Sequence, residues 1–364
     1  MLLSGYILVL GKGITSGAIE RQVIKHGGRC DVLEDINTVD FDFNKYDVII
    51  TSPGIPYDHR IYKRINSNYM SDIDLFCALN KTPIIAVTGT NGKTTVTHMI
   101  KVGLESKGYK VKMGGNQETS ALDLLDDQNA DVVVLELSSF QLCHSTSCHF
   151  AIGVITNIAP DHVKWHQSFN HYKTSKMKLE HFTDQFIFMD DSSHPIHEKN
   201  QMTAIKVCRG FGVEVDSETI ENVRLPHRQE TFTKYGIQWV NDSKATNVAA
   251  TKALLSHYQC KPMTYVILGG QLKGDDDFGT LNEFSSPHLQ FVAYGEAQDT
   301  IAKQMDITIH HYKFETVLHE VMQNLKQDDT VILSPGCSSF DQFKSYMDRG
   351  DFFKSYVNQN KPVL

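Results

Sequence analysis

The sequence predicts an α/β protein of three domains built on parallel sheets, and three observations carry that expectation. Short runs rich in β-branched residues recur along the chain, each is continuously apolar rather than alternating, and each leads through a polar turn into a helix-like segment. Apolar strands alternating with helices are the pattern of parallel sheets covered on both faces. With 364 residues, 41% hydrophobic and 21% charged, the chain is long enough for two or three domains, and a disordered or fibrous protein is excluded.

The first strand is expected over residues 6–10. The segment has neither a basic flank nor a small-residue cleavage site, so it reads as a buried strand and not as a signal peptide. It runs into Gly11-Lys12-Gly13-Ile14-Thr15-Ser16-Gly17, a strand-to-helix turn whose glycines allow close backbone approach. A second strand ends Val32-Leu33-Glu34-Asp35, which together with that turn resembles a Rossmann dinucleotide site, though another nucleotide fits the pattern equally. A third, over 47–51, closes on Ser52-Pro53-Gly54, again a turn where backbone can approach a ligand.

The fourth run, 84–88, carries the sharpest signal. It leads through Gly89-Thr90-Asn91-Gly92-Lys93-Thr94-Thr95 into an amphipathic helix beginning near Val96. Glycines let backbone N–H groups converge on phosphate oxygens, the helix N-terminus adds a favourable dipole, Lys93 supplies a mobile cation and Thr94 a hydroxyl for Mg²⁺. Val87 stands where the common Gly-x4-Gly-Lys-Ser/Thr loop has its first glycine, so Gly89 and Gly92 are the usable ones. The segment predicts a nucleoside triphosphate site.

Strand 132–137 brings Glu136 to its C-terminal end, where ligands gather in an open α/β sheet, and makes it the candidate metal carboxylate. Strand 152–156 leads to His162, a candidate second metal ligand. From composition alone, 172–178 reads as a solvated basic helix face and the polar stretch 190–200 as a bare loop. The last third opens near Arg224 with His227-Arg228, then Asn241-Asp242-Ser243-Lys244-Ala245-Thr246-Asn247, in which Asn241-Asp242-Ser243 also suits a helix N-cap. Strands at 264–268, 290–294 and 330–333 follow, with polar loops at Gly269-Gly270-Gln271-Leu272-Lys273 and from Ser334 to Phe343. Three polar loops after apolar strands point to a site on one rim.

Composition excludes several functions. Lys plus Arg is 35 against 43 Asp plus Glu, a net charge of -8, so no broad positive field for nucleic acid is available and anionic ligands must be met by local groups. Seven scattered cysteines fit reduced thiols in a cytosolic compartment, and Cys143 and Cys148 lack the second pair a zinc site would need. No window approaches the roughly 18 apolar residues of a membrane span. A soluble, cytoplasmic protein is expected.

Taken together, Thr88 to Thr94, Glu136-Leu137-Ser138-Ser139-Phe140-Gln141-Leu142, Tyr172 to Lys176, Leu225-Pro226-His227-Arg228, Asn241 to Asn247 and Leu333 to Phe343 resemble, in order, the motifs of the Mur ligase family of peptidoglycan synthesis. Among its members the pattern is most similar to the D-glutamate-adding branch. The resemblance implies three domains: a Rossmann-like UDP-sugar domain over 1–82, a P-loop ATPase-like central domain over 83–223 and a Rossmann-like amino-acid-binding domain over 224–364. It also implies ATP-driven amide formation between UDP-N-acetylmuramoyl-L-alanine and D-glutamate through an acyl phosphate, by a monomer.

Residue roles follow from the same resemblance. Gly89 to Thr95, with Asn200, Arg228, Asp242 and Lys244, would bind ATP. Thr94 and Glu136 would hold one Mg²⁺, and His162 with a carbamylated Lys176 a second; Lys93, His162, Lys176 and Arg228 form the catalytic set. The UDP-sugar would meet Gly13, Ile14, Thr15, Ser16, Asp35, Ser52, Pro53, Gly54, Asn116 and Ser138, and the amino acid Thr246, Lys273, Ser339 and Tyr346. The chain departs from the family after residue 190, where a β-rich stretch of several dozen residues is missing. Of the usual His-Asn-x-x-Asn signature it keeps only Asn200, expected at adenine, and Ile36-Asn37 replaces the common Thr-Arg beside Asp35. Two alternatives stay open: a UDP-sugar- and ATP-binding paralogue without turnover, and a related ligase using another amino acid.

Overall fold

The computed structural model describes residues 2–362 apart from 38–40, 66–68, 117–118, 127–128, 190–192, 259–261, 275 and 308, so Asp190 and Cys260 lie outside the described residues. The chain divides into two compact units, residues 1–158 with 165–223, and residues 159–164 with 224–364.

The first unit contains two parallel sheets. β1 (Tyr6–Leu10), β2 (Arg29–Leu33), β3 (Val48–Thr51) and β4 (Tyr69–Ser71) form a four-stranded sheet in the order β2-β1-β3-β4, with helices α1 (Ile14–Lys25) and α2 (Asp72–Leu79). β5 (Ile84–Thr88), β6 (Val111–Gly115), β7 (Val132–Glu136), β8 (Phe150–Ile155) and β9 (Thr183–Phe188) form the second, in the order β6-β7-β5-β8-β9. Its helices are α3 (Lys93–Glu105), α4 (Ser139–His144), α5 (Val163–His166, at the passage between the units), α6 (Phe169–His181), α7 (Ile196–Gly210) and α8 (Ser217–Glu221).

Continuous hydrophobicity in β5 reflects burial on both faces. Ile84 and Ala86 point into a core shared with Ile7 and Val9 of the first sheet and Ile73 and Leu75 of α2, whereas Ile85 and Val87 pack beneath α3 and α7 with Val96, Ile100, Ala204 and Val207. Side chains alternate across the pleat, so one apolar run closes two layers. The chain leaves β5 toward β6 and returns past it to β8, which makes β5 the switch point of its sheet; β1 has the same place in the first. Crevices beyond the strand C-termini at such points are where α/β sheets take ligands.

Among the described residues the second unit holds six strands, β10 (Glu230–Lys234), β11 (Ile237–Asn241), β12 (Thr264–Gly269), β13 (Leu289–Tyr294), β14 (Ile309–His311) and β15 (Thr330–Gly336). Their order is β10-β11-β15-β12-β13-β14, with only the β10–β11 hairpin antiparallel. Helices α9 (Val248–Leu255), α10 (Gln298–Gln304), α11 (Phe314–Asn324) and α12 (Tyr346–Gln359) complete it. Ile267 and Leu333 face one core, Val266 and Ile332 the other.

Two expectations are corrected here. The bare loop expected over 190–200 gives way to α7 from Ile196, whose buried face of Asn200, Thr203, Ala204 and Val207 packs on α3; the polar composition of its first turn hid that stripe. The Asn241-Asp242-Ser243 cluster does not cap a helix. Asn241 ends β11, and α9 is capped by Asn247, whose Oδ1 accepts from Ala250 N at 2.9 Å.

Candidate active site

The phosphate loop is held from outside itself. Gly92 caps α3 in the left-handed region at φ +84°, and Gly89 lies at φ +147°. Thr90 N donates to Asn157 O at 2.9 Å, Asn91 N to Asn157 Oδ1 at 3.0 Å, and Thr156 Oγ1 to Asn91 O at 2.6 Å, so the end of β8 fastens the loop. The Thr90 hydroxyl lies 2.9 Å from the Tyr172 hydroxyl. Lys93, Thr94 and Thr95 form the first turn of α3, whose N–H groups have no intrahelical acceptors and suit an anion. Lys93 Nζ folds back onto the loop, donating to Gly89 O at 2.9 Å and Thr90 O at 3.0 Å.

The face expected to be solvated at 172–178 turns inward at Tyr172, Ser175 and Lys176, while Lys173 and Thr174 stay exposed. Tyr172 and Lys176 are each 1% exposed, and Lys176 Nζ donates to Gly89 O at 2.8 Å and lies 4.8 Å from the centre of the Tyr172 ring. Its basic neighbours disguised the inward face in the sequence. Asn200 is buried and reaches the same loop: a Cβ on Gly92 would come within 2.6 Å of Asn200 Oδ1.

Glu136 ends β7 beside β5, paired in register with Val87, and is buried. Asn116 makes two contacts with it, its backbone N–H donating to Glu136 O at 2.7 Å and Nδ2 to Oε1 at 3.1 Å. The Glu136 carboxylate and the Thr94 hydroxyl are both oxygen donors of the kind Mg²⁺ takes. Ser138 caps α4, accepting from Gln141 N at 3.2 Å.

In the first sheet the candidate sugar turns meet. A Cβ on Gly11, at φ +88°, would lie 3.1 Å from Ser52 Cβ, so the turn after β1 presses on Ser52-Pro53-Gly54. Gly13 caps α1, with Ser16 Oγ accepting from Gly13 N at 2.8 Å, and Thr15 follows Ile14, whose side chain lies outside the described residues. Asp35 is exposed and accepts from Asn37 N at 2.9 Å, an Asx turn that fixes its carboxylate.

In the second unit His162, at φ +52°, sits beside Asp161 with an Nε2–Oδ2 distance of 3.6 Å. Lys273 Nζ donates to Thr246 Oγ1 at 3.2 Å and to Asp161 Oδ1 at 3.3 Å, and Asn247 Nδ2 to Asp161 Oδ2 at 3.1 Å. A two-way backbone bridge between Gln271 and Ser338 brings the Lys273 loop to Ser339, which is buried. Lys244 Nζ lies over the Tyr346 ring at 4.1 Å. Asp242 is buried, accepting from Ser334 Oγ at 3.0 Å and Gln229 N at 3.2 Å; burial pushes its carboxyl up to about 7, while Arg228 pulls the other way.

Arg349 was invisible in the sequence. It is fully buried on α12 and donates to Ser243 Oγ and O at 2.9 and 2.8 Å, Tyr294 hydroxyl at 2.9 Å, Cys337 O at 3.1 Å and Ser338 O at 3.3 Å. One guanidinium thus ties two of the polar loops together. The faint signal was an arginine inside an otherwise helical, partly apolar C-terminal segment.

A family model described as Mur ligase middle domain matches residues 87–243. The chain is 31% identical over 373 residues to the UDP-N-acetylmuramoylalanine–D-glutamate ligase of Vibrio vulnificus, covering 86% of this chain and 84% of that one. Among solved structures it resembles the MurF ligase of Thermotoga maritima in complex with ADP, with a TM-score of 0.64 at 13% identity over 99% of both chains. It also resembles the UDP-N-acetylmuramate-alanine ligase of the same organism, with a TM-score of 0.60 at 16% identity over 98% and 100%. At those identities the structural likeness speaks for the fold.

Proposed function

This chain belongs to the Mur ligase family, and from that premise we propose that it is an ADP-forming amide ligase that adds D-glutamate to UDP-N-acetylmuramoyl-L-alanine in peptidoglycan precursor synthesis. The observation that supports this best is the Asn116–Glu136 pair, which joins a candidate sugar contact to the candidate metal carboxylate beside the phosphate loop. Relatives named for that reaction at about this identity support the choice of amino acid. In this reading 1–82 holds the UDP-sugar, 83–223 ATP and 224–364 the amino acid.

A carboxylate is a poor electrophile, so the L-alanine carboxylate first attacks the γ-phosphorus of ATP, and ADP leaves. The amine of D-glutamate then attacks the acyl phosphate, and inorganic phosphate leaves from a tetrahedral intermediate. Lys93 and the α3 amides align the phosphates, and Arg228 meets the transferring group. Thr94 and Glu136 would hold one Mg²⁺, and His162 with carbamylated Lys176 a second; bound there, Mg²⁺ would neutralise phosphoryl charge. Carbamylation would make Lys176 an anionic acceptor in place of a donor. Lys273, Thr246, Ser339 and Tyr346 grip the amino acid, Lys273 by exchanging Asp161 for a substrate carboxylate. Asn200 is assigned to the ATP site through Gly92, and adenine contact is a further part of the proposal.

The test is phosphate release from ATP with the UDP-sugar and either enantiomer of glutamate. Release should require the UDP-sugar and D-glutamate together, with L-glutamate near background. Equal rates with L-glutamate would refute the branch, and no release with either would refute the ligase.

A further inference from the structure

We infer that Asp72 is a positioning residue of the UDP-sugar site, setting the Ser138 hydroxyl through Gln141. The inference rests on the functional reading above, in which Ser138 touches the sugar nucleotide. Asp72 opens α2 and is 3% exposed; its Oδ2 accepts from Gln141 Nε2 at 3.3 Å, while its Oδ1 is buried without a hydrogen-bond partner. The other end of the Gln141 amide faces Ser138, with Oε1 accepting from Ser138 N at 3.0 Å and from Ser138 Oγ at 3.1 Å.

Only one orientation of this amide works. Turned over, its oxygen would face the Asp72 carboxyl and its NH₂ the Ser138 N–H. Asp72 therefore fixes the amide, and the amide fixes the N–H and the hydroxyl of Ser138, two residues beyond Glu136.

Comparison with Asp74 on the same turn separates this from a structural role. Asp74 is equally buried but well used, accepting from Thr146 N and Ser147 N at 2.9 Å each and from Thr146 Oγ1 at 3.2 Å, which anchors the chain after α4. Asp72 leaves an oxygen unmet, and its burial pushes the acid up to about 6. A buried acid so poorly satisfied stabilises less than an apolar residue of its size would. Its retained function is orientation.

The experiment compares wild type with Asp72→Leu, Asp72→Asn, Gln141→Ala and the Asp72→Leu/Gln141→Ala double variant, by melting temperature and by KM for each nucleotide. Wild type is assayed first: no UDP-sugar-dependent turnover there refutes the functional reading, not this inference. Asp72→Leu should melt no lower than wild type yet raise the UDP-sugar KM about tenfold, the loss of one well-placed hydrogen bond, with the ATP KM unchanged. Asp72→Asn, which can still accept from Gln141, should stay near wild type. In the Gln141→Ala background Asp72→Leu should add little, because both act through one amide. Equal rises in both KM values, a full additional loss in the double variant, or an unchanged sugar KM in Asp72→Leu would overturn the inference. If Asp72→Leu does not fold, Gln141→Ala carries the test, with the same selective rise expected and an unchanged sugar KM contradicting it.

Discussion

At the scale of single residues, burial decides how Asp242 behaves. Its carboxyl is raised from 3.8 to about 7, chiefly by desolvation. The folded protein therefore holds that proton more tightly than the unfolded chain, so the stabilising contribution is complete below the unfolded value and is lost as pH rises through the folded one. Melting temperature should fall as pH is raised through this window, and Asp242→Asn should flatten the slope; an unaltered slope would contradict the assignment. Lys176 gives a second case. Its ammonium group lies on Gly89 O at 2.8 Å in the interior, where a substitution removes both a charge and its reach to the loop. Lys176→Ala should lose most activity, and bicarbonate or a short carboxylate should restore part of it if carbamylation supplies the working group. Activity equal to wild type would remove the lysine from the mechanism.

At the scale of elements, the phosphate loop depends on neighbours as much as on its own glycines. Alanine at Gly92 would need a left-handed backbone at φ +84° and would press on Asn200 Oδ1. Gly92→Ala should weaken ATP binding by about tenfold or more, on the order of the 1–3 kcal/mol such strain costs, as read by titration calorimetry. Adding Asn200→Ala should recover only the steric part. The strand-loop-helix unit itself was legible in the sequence because glycine spacing, an apolar strand and an amphipathic helix all agreed. The supports were not: Thr156 and Asn157 look like an ordinary polar strand end, and their hydrogen bonds to Thr90 and Asn91 come from residues more than sixty positions away. Strands such as β4, only three residues long, and β10, with alternating burial on the sheet edge, lack the continuous apolar run that revealed β5, β12 and β15.

At the scale of the whole molecule, the parallel-sheet class was legible, and the order of its motifs already resembled one family. What stayed hidden was which polar residues turn inward. Lys176, Asp72 and Arg349 are all at most 3% exposed, and composition alone reads each of them as a solvated charge. Their partners lie on other elements, and only the folded chain brings them together. Among the described residues no helix is long and apolar enough to cross a membrane. The second sheet passes from β9 to α7 with no further strand between them among the described residues.

The most direct test of the central claim is the mass of the nucleotide product after incubation with ATP, Mg²⁺, UDP-N-acetylmuramoyl-L-alanine and D-glutamate. The account predicts a UDP-sugar heavier by one glutamyl residue, formed in step with ADP; ADP formation with the UDP-sugar left at its starting mass would contradict it.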